Sequence, residues 1–270
     1  MIQEQNIKWI IAPPSIIFSL CCVSVKYNVK INVEVIESIS EYLPKFYKEF
    51  FEKVLGGKVY IHYSCHEIWG MAFTNEDGKL QIMDECILKM VEDNRFKRGY
   101  GKCIATNLRV KSMPFINYEL SDLIKINGNT IKTYGFRWNE EVRLQNINIH
   151  CSFFDNIYYK YKDYELLPLE NYQIVYSETE IVIYIITDDA ELCEKIREYT
   201  SDKIQKNYGC EVKVRCEMAS RFFVDIISGK MRGIIRYKDV NWDGWEFHLI
   251  NDVSSRIIKK DILGERNNRI

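Results

Sequence analysis

The chain has 270 residues, nearly half of them hydrophobic, and a formal net charge of -1 from 37 basic and 38 acidic side chains. That length supports one large domain or two modest ones, at roughly 100–200 residues per domain. The charge balance removes any electrostatic reason to expect nucleic acid or an anionic membrane as partner. Nine cysteines, none spaced as C-x-x-C, read as reduced thiols in a cytoplasmic protein. The apolar stretch from Trp9 to Val25 is broken by Pro13 and Pro14 and diluted by Ser15, Ser19 and Ser24. A membrane span needs about 20 apolar residues, so this segment reads as a buried strand, a proline break and a helix.

In chain order, Ile7 to Ile11 has the short apolar pattern of a strand covered on both faces. Ser15 is the expected cap of a helix carrying Ile17, Phe18, Cys21 and Cys22, and Lys30 to Ile36 alternates like the next strand. Leu43, Phe46, Tyr47, Phe50, Phe51, Val54 and Leu55 recur at helical steps, with Pro44 suited to the first turn and Gly56-Gly57 to the stop. Lys58 to Tyr63 is the following strand. From Gly70 to Lys132 short strands and turns suggest an antiparallel β subdomain, with turns at Asn75 to Gly78 and at Asn127-Gly128. The strands expected there are Lys102 to Leu108 and Leu123 to Ile126.

A further unit starts near residue 140. Its expected strands are Tyr172 to Tyr176, Glu180 to Ile186, Glu211 to Cys216 and Met231 to Tyr237. Between them Asp188 or Asp189 caps a helix repeating Leu192, Ile196, Thr200, Ile204 and Tyr208, which Gly209 ends. The expected fold class is therefore an α/β layer with a β subdomain over residues 1–138 and an α+β domain over 139–240. Residues 241–270 carry Trp242, Trp245 and Phe247 and stay unplaced.

Three stretches carry side chains fit for chemistry. Tyr63-Ser64-Cys65-His66-Glu67 ends a strand, where ligand crevices of α/β sheets form, and Glu67 has the hard oxygen that Mg²⁺ takes. A zinc or Cys/His reading of Cys65 and His66 lacks a third ligand, and His62, His150 and His248 show no partner pattern. Asp122, between a turn-like stretch and a strand, has a carboxylate able to accept both hydroxyls of a ribose. Ser228-Gly229-Lys230 places a lysine beside a glycine, able to bring a compact charge onto a phosphate or carboxylate. Taken singly, each is also what an ordinary solvated loop or surface looks like.

Together they resemble the adenylate-forming (AMP-forming) ligases, most closely the phenylacetate–CoA ligase-like branch, over roughly residues 5–238. Ile36 to Leu43 is similar to that family's "GE-x-L" stretch, with Ser40 where glycine is usual and Glu41 as its acid. Tyr63 to Glu67 is similar to "YG-x-T/S-E", with Ser64 for glycine. Thr106-Asn107-Leu108 and Pro114 to Asp122 resemble "T-N-L … PLIRYE-x-GD", with Asn117 for arginine and Ser121 for glycine. Phe136 to Glu140 resembles a degraded "GR-x-x-D", Glu170 to Val175 an "EYQIV" strand, and Ile227 to Arg232 the closing "SGK-x-R".

The resemblance implies a reaction in which a small carboxylic acid attacks the α-phosphate of ATP, after which a thiol, usually coenzyme A, displaces AMP. It implies that Ser40, Glu41, Tyr63, Asp122 and Arg137 contact the nucleotide, Glu67 positions Mg²⁺ and Lys230 assists adenylation. Glu140 with Arg137 would be the hinge before a C-terminal lid. The family's Ser/Thr/Gly-rich phosphate loop has no counterpart here, since Gly99-Tyr100-Gly101-Lys102 reads as a turn.

Three expectations follow. The chain is a ligase part that needs a separate chain carrying the missing segment, a non-catalytic descendant that binds a nucleotide, an acid or a protein, or an unrelated α/β binding module. A missing cover over Ile10, Ile11, Ile17, Phe18 and Val23 predicts a partner chain or self-association, unless Trp242, Trp245 and Phe247 fold back over them.

Overall fold

In the computed structural model, residues 6–159 and 166–242 are described. They form two compact units, one of residues up to 94 with 99–134, the other of residues 95–98 with those from 135 onward. Among the described residues no helix is long and apolar enough to cross a membrane.

The first unit begins with strand β1 (Trp9–Ala12), helix α1 (Pro14–Lys26), strand β2 (Val35–Ile39), helix α2 (Lys45–Leu55) and strand β3 (Lys58–Tyr63). β1, β2 and β3 run parallel, as alternating strands and helices require. β4 (Ala72–Thr74), β5 (Leu80–Ile82), β6 (Cys86–Glu92), β7 (Gly101–Asn107), β8 (Tyr118–Asn127) and β9 (Thr130–Arg137) follow. All nine share one sheet in the order β1-β2-β3-β4-β5-β9-β8-β7-β6, so the expected α/β layer and β subdomain are halves of one sheet. The core under its antiparallel part joins Ile68, Met71, Leu88, Cys103, Ala105 and Ile124.

α1 and α2 pack on each other through a Phe18–Tyr47 stack with ring centroids 4.3 Å apart. Ile17 and Phe18 are therefore buried, against the expectation that they lack neighbours, whereas Trp9 and Ile11 on the edge strand β1 are more than half exposed. Trp242, expected to fold back over that face, packs on Phe223 and Tyr237 within the second unit. Trp245 and Phe247 lie outside the described residues.

Several expected boundaries move. Ser15 does not cap α1: the cap position is Pro13, and the carboxylate of Glu41 accepts hydrogen bonds from the Ser15 amide (3.1 Å) and hydroxyl (2.9 Å). A distant acid thus satisfies an amide at the helix start that no local side chain reaches. Pro44 caps α2 from outside its first turn. The alternation at Lys30 to Glu34 does not make a strand. Ile31 and Val33 are buried from a connecting segment whose Val33 amide donates to Leu55 O (3.0 Å), and β2 starts only at Val35. Asp122 lies within β8 rather than before a strand.

The second unit holds the pair β10 (Glu141–Arg143) and β11 (Asn148–His150), helix α3 (Cys151–Tyr159), strands β12 (Tyr172–Tyr176) and β13 (Glu180–Ile186), helix α4 (Ala190–Tyr208), and strands β14 (Lys213–Ala219) and β15 (Ile234–Arg236). A four-stranded sheet runs β14-β13-β12-β15. Every residue of β12 is buried. Asp189 caps α4 by accepting from the Leu192 amide (3.0 Å), and Gly209 ends it at φ +68°. The last strand is shorter than the expected Met231 to Tyr237, because Tyr237–Asp239 turns into a 3-10 helix. At Phe136, where the resembled family has glycine, the ring is buried against Tyr172. Gly233 makes room for it: a Cβ there would sit 2.4 Å from the Phe136 ring.

Candidate functional site

In the first unit the end of β3 and the middle of β8 meet. The Tyr63 hydroxyl donates to Asp122 Oδ2 at 2.9 Å across 59 residues of sequence. Burial, and then the Asp122 charge, push the Tyr63 phenol well above its usual range, so it stays protonated and keeps donating. Four residues on from Tyr63, Glu67 Oε1 accepts from the Tyr118 hydroxyl at 2.9 Å. Its own backbone amide, then Tyr118, hold the Glu67 carboxyl below the ordinary range, and Glu67 in turn raises the Tyr118 phenol. Tyr63, Glu67 and Asp122 are thus joined through β3 and β8, with Tyr118 as a fourth member that sequence reasoning quoted inside a motif but gave no task.

Ser40 and Glu41 follow β2 directly. Ser40 has φ +68°, and the Glu41 amide donates back to Ile39 O at 2.8 Å, a three-residue turn. That turn carries the Glu41 carboxylate to the start of α1.

Glu67 supplies one hard oxygen, and among the described residues no group of three or more His, Cys, Asp or Glu is placed to hold a metal. One carboxylate fits Mg²⁺ as that ion usually binds, with waters and nucleotide phosphates completing the shell. It does not make a protein cage.

In the second unit, Arg137 to Glu140 form the turn between β9 and β10. The Arg137 amide donates to Glu140 Oε2 and the Glu140 amide to Arg137 O, both at 3.2 Å. Lys230 lies on a tight hairpin in which Asp225 Oδ1 accepts from the Ser228 amide (2.6 Å) and hydroxyl (2.7 Å), and Gly229 adopts φ +64°. Ile226 and Ile227 stand exposed at its tip. The hairpin's base is clamped from β12. Fully buried Gln173 donates to Phe223 O (2.9 Å) and Arg232 O (2.8 Å) and accepts from the Phe223 amide (2.7 Å). The signal for this was one amide in the otherwise apolar run Tyr172 to Tyr176.

Two histidines given no partner in the sequence have one. His150 accepts from or donates to Ser152, Trp138 O and Arg95. His62 Nδ1 lies 2.8 Å from Glu37 Oε1, both side chains largely buried. His248 lies outside the described residues.

No protein-family model and no curated protein sequence matches the chain. Solved structures do. An acyl-CoA synthetase of Brucella canis is similar at TM-score 0.54 and 13% identity, over 86% of this chain and 48% of that one. A 2-hydroxyisobutyryl-CoA ligase in its postadenylation state with an acyl-AMP matches at TM-score 0.49 and 17% identity, over 92% of this chain and 57% of that one. An anthranilate CoA ligase with anthranoyl-AMP matches at 0.46 and 11%. The chain spans about half the length of these structures. The first of them shows a fold shared with an acyl-CoA synthetase.

Proposed function

We propose that this chain is part of an AMP-forming acid–thiol ligase of the phenylacetate–CoA ligase-like kind. The observation that carries the reading is the Tyr63–Asp122 bond, which unites two motif segments of that resemblance on a fold shared with an acyl-CoA synthetase. Asp122, half-buried on β8, then accepts the ribose hydroxyls. In this reading Ser40 and Glu41 wall the adenine side, Glu67 takes Mg²⁺ brought by ATP, and Arg137 and Glu140 form the hinge. Lys230 stabilises charge developing at the α-phosphate.

Calorimetric titration with AMP and with Mg·ATP tests it. Asp122→Asn is expected to weaken nucleotide binding at least about tenfold, the scale of losing one charge-assisted hydrogen bond. Equal affinity in the variant, or no nucleotide binding by the parent, sinks the reading.

A second reading is a nucleotide- or acid-binding module without turnover. It is favoured by Glu41, whose carboxylate is engaged at the start of α1 rather than left for a ligand. Nucleotide binding without ATP–pyrophosphate exchange, in the presence of a carboxylic acid and of any partner chain, would support it over the first.

A further inference from the structure

The two helices of the first unit differ on their outer faces. α2 buries Phe46, Tyr47, Phe50, Phe51 and Leu55 and turns Lys45, Glu49 and Lys53 to solvent, as an amphipathic surface helix does. α1 has no such polar side. Ile17, Phe18, Cys21 and Cys22 face inward and are buried. On the opposite side Ile16 is 50% exposed, Leu20 and Val23 are half-buried, and Tyr27 at the C-cap is 62% exposed. No charged residue stands between Lys8 and Lys26. A helix that is apolar all round belongs in a covered environment, and α1 is covered on one side.

The outer ridge has a definite spacing. Ile16, Leu20, Val23 and Tyr27 follow one another at steps of four, three and four, the repeat with which one helix presents a seam to another helix. The ridge is also self-complementary. Laid antiparallel against a second α1, Ile16 meets the second copy's Tyr27, and Leu20 meets its Val23. An uncharged ridge gives a charged partner nothing to pair with along the seam, whereas a second copy brings a ridge that is equally uncharged.

Charge at the two ends sets the direction. Ser15 and Lys26 are 11 positions apart, about three turns, so they lie on the same flank of the ridge. At Ser15 sits the Glu41 carboxylate, which accepts from the Ser15 amide (3.1 Å) and hydroxyl (2.9 Å). Lys26 is exposed in the last turn. A two-fold axis that relates antiparallel helices keeps like flanks together and exchanges the ends. Each Lys26 then stands beside the second copy's Glu41, on both sides of the axis. A parallel pair would instead bring lysine to the level of lysine and glutamate to that of glutamate. The helix dipoles favour the antiparallel direction as well.

We propose that two copies of this chain pair through the outer ridge of α1, antiparallel about a two-fold axis, with Lys26 of each copy against Glu41 of the other. An isologous contact of this kind closes on itself and leaves a dimer rather than a fibre. It needs no nucleotide and stands apart from the ligase reading.

The test is sedimentation velocity of the 270-residue chain over a concentration series, without nucleotide. The mass should rise to twice that of the chain. Ile16→Lys changes an exposed position and sets a second cation near the second copy's Lys26, so it should raise the dimer dissociation constant at least about tenfold. Crosslinking reads the direction. Under mild oxidation with copper–phenanthroline, the double variant Ile16→Cys with Tyr27→Cys should give a disulfide-linked dimer on a non-reducing gel. Either single variant should match the parent, because in the antiparallel pair like positions at the ridge ends lie about 16 Å apart along the axis, at about 1.5 Å per residue. A chain that stays monomeric throughout, a dimer indifferent to Ile16→Lys, or crosslinking by the single variants and not the double would overturn the proposal. A monomer that binds phosphatidylcholine vesicles would overturn it as well and would give the α1 ridge to a lipid surface.

Discussion

The first unit holds its candidate carboxylates by tyrosine hydroxyls at half-buried positions, whereas the second holds its candidate lysine by a buried amide gripping backbone. Asp122 and Glu67 accept hydroxyl bonds from Tyr63 and Tyr118. Gln173 instead satisfies two carbonyls and one amide at the base of the Lys230 hairpin, with no solvent to replace it. A hydroxyl on a carboxylate near water can yield to a ligand at small cost. A buried amide on backbone cannot, because removing it takes hydrogen bonds from backbone groups that water does not reach. The first arrangement suits residues that must exchange partners, and the second suits a scaffold that must present one loop in one place.

The largest effect should come from breaking the clamp. Gln173→Leu keeps volume but removes the bonds to the Phe223 amide and carbonyl and to the Arg232 carbonyl. At about 1 kcal/mol net per lost hydrogen bond, a loss of about 3 kcal/mol is expected in urea unfolding. Proteolysis between Phe223 and Arg232 should rise in parallel, since that is the segment released. A variant of parental stability would mean that the two units do not differ in this way.

Tyr63→Phe should cost less, about 1–2 kcal/mol, because Asp122 keeps access to water. The same change should leave nucleotide affinity equal or raised, since it frees an acceptor position on Asp122. A cost as large as that of Gln173→Leu would place the Tyr63–Asp122 bond in the scaffold.

Part of this contrast was legible in the sequence. The strands Lys58–Tyr63, Tyr172–Tyr176 and Glu180–Ile186 and the Asp189-capped helix carry strong local signals, and the structure places them where the pattern does. β6 escaped because apolar side chains stand on both its faces: Cys86 and Leu88 are buried while Ile87 and Val91 are exposed, which hides the alternation. α3 is only nine residues long and rich in aromatics, and β9 is interrupted by Gly135. The partners of His62, Gln173 and Glu41 escaped for a different reason. Each bond joins residues 25 or more apart, set by strand register or by a loop's return path, neither of which a local pattern encodes.

A third effect is expected at alkaline pH. Burial raises Cys86 to about 11 and Cys103 to about 12, and pushes Tyr63 well above its usual range, all three in the first unit. Each group is neutral when protonated and its folded value lies above its unfolded one. The stability it contributes is therefore complete below about pH 8.5, the unfolded thiol value, and is lost as the pH rises through the folded values. The urea midpoint should fall between pH 8.5 and 10.5, and the buried thiols should resist a thiol reagent at pH 8 until the chain is unfolded. A midpoint unchanged at pH 10.5 would contradict the burial of these groups.

The smallest effect, and the only stabilising one, concerns Ser40. Its φ of +68° lies in the left-handed region, at the centre of the turn that closes with the Glu41 amide on Ile39 O. Such a conformation costs an L-residue roughly 1–2 kcal/mol, and glycine occupies it freely. Glycine also loses more chain entropy on folding, which takes back roughly 0.5–1 kcal/mol. Ser40→Gly should therefore stabilise the chain by up to about 1 kcal/mol, a rise in melting temperature of about 2–4 °C at this size. Ser40→Val should do the opposite, because a β-branched side chain is poorly tolerated at positive φ. The pair of variants separates two reasons for serine at this turn. If glycine stabilises and nucleotide affinity is unchanged, serine there carries only backbone strain. If glycine stabilises but weakens nucleotide binding, the Ser40 hydroxyl contacts the ligand, and the strain is retained for the sake of that contact.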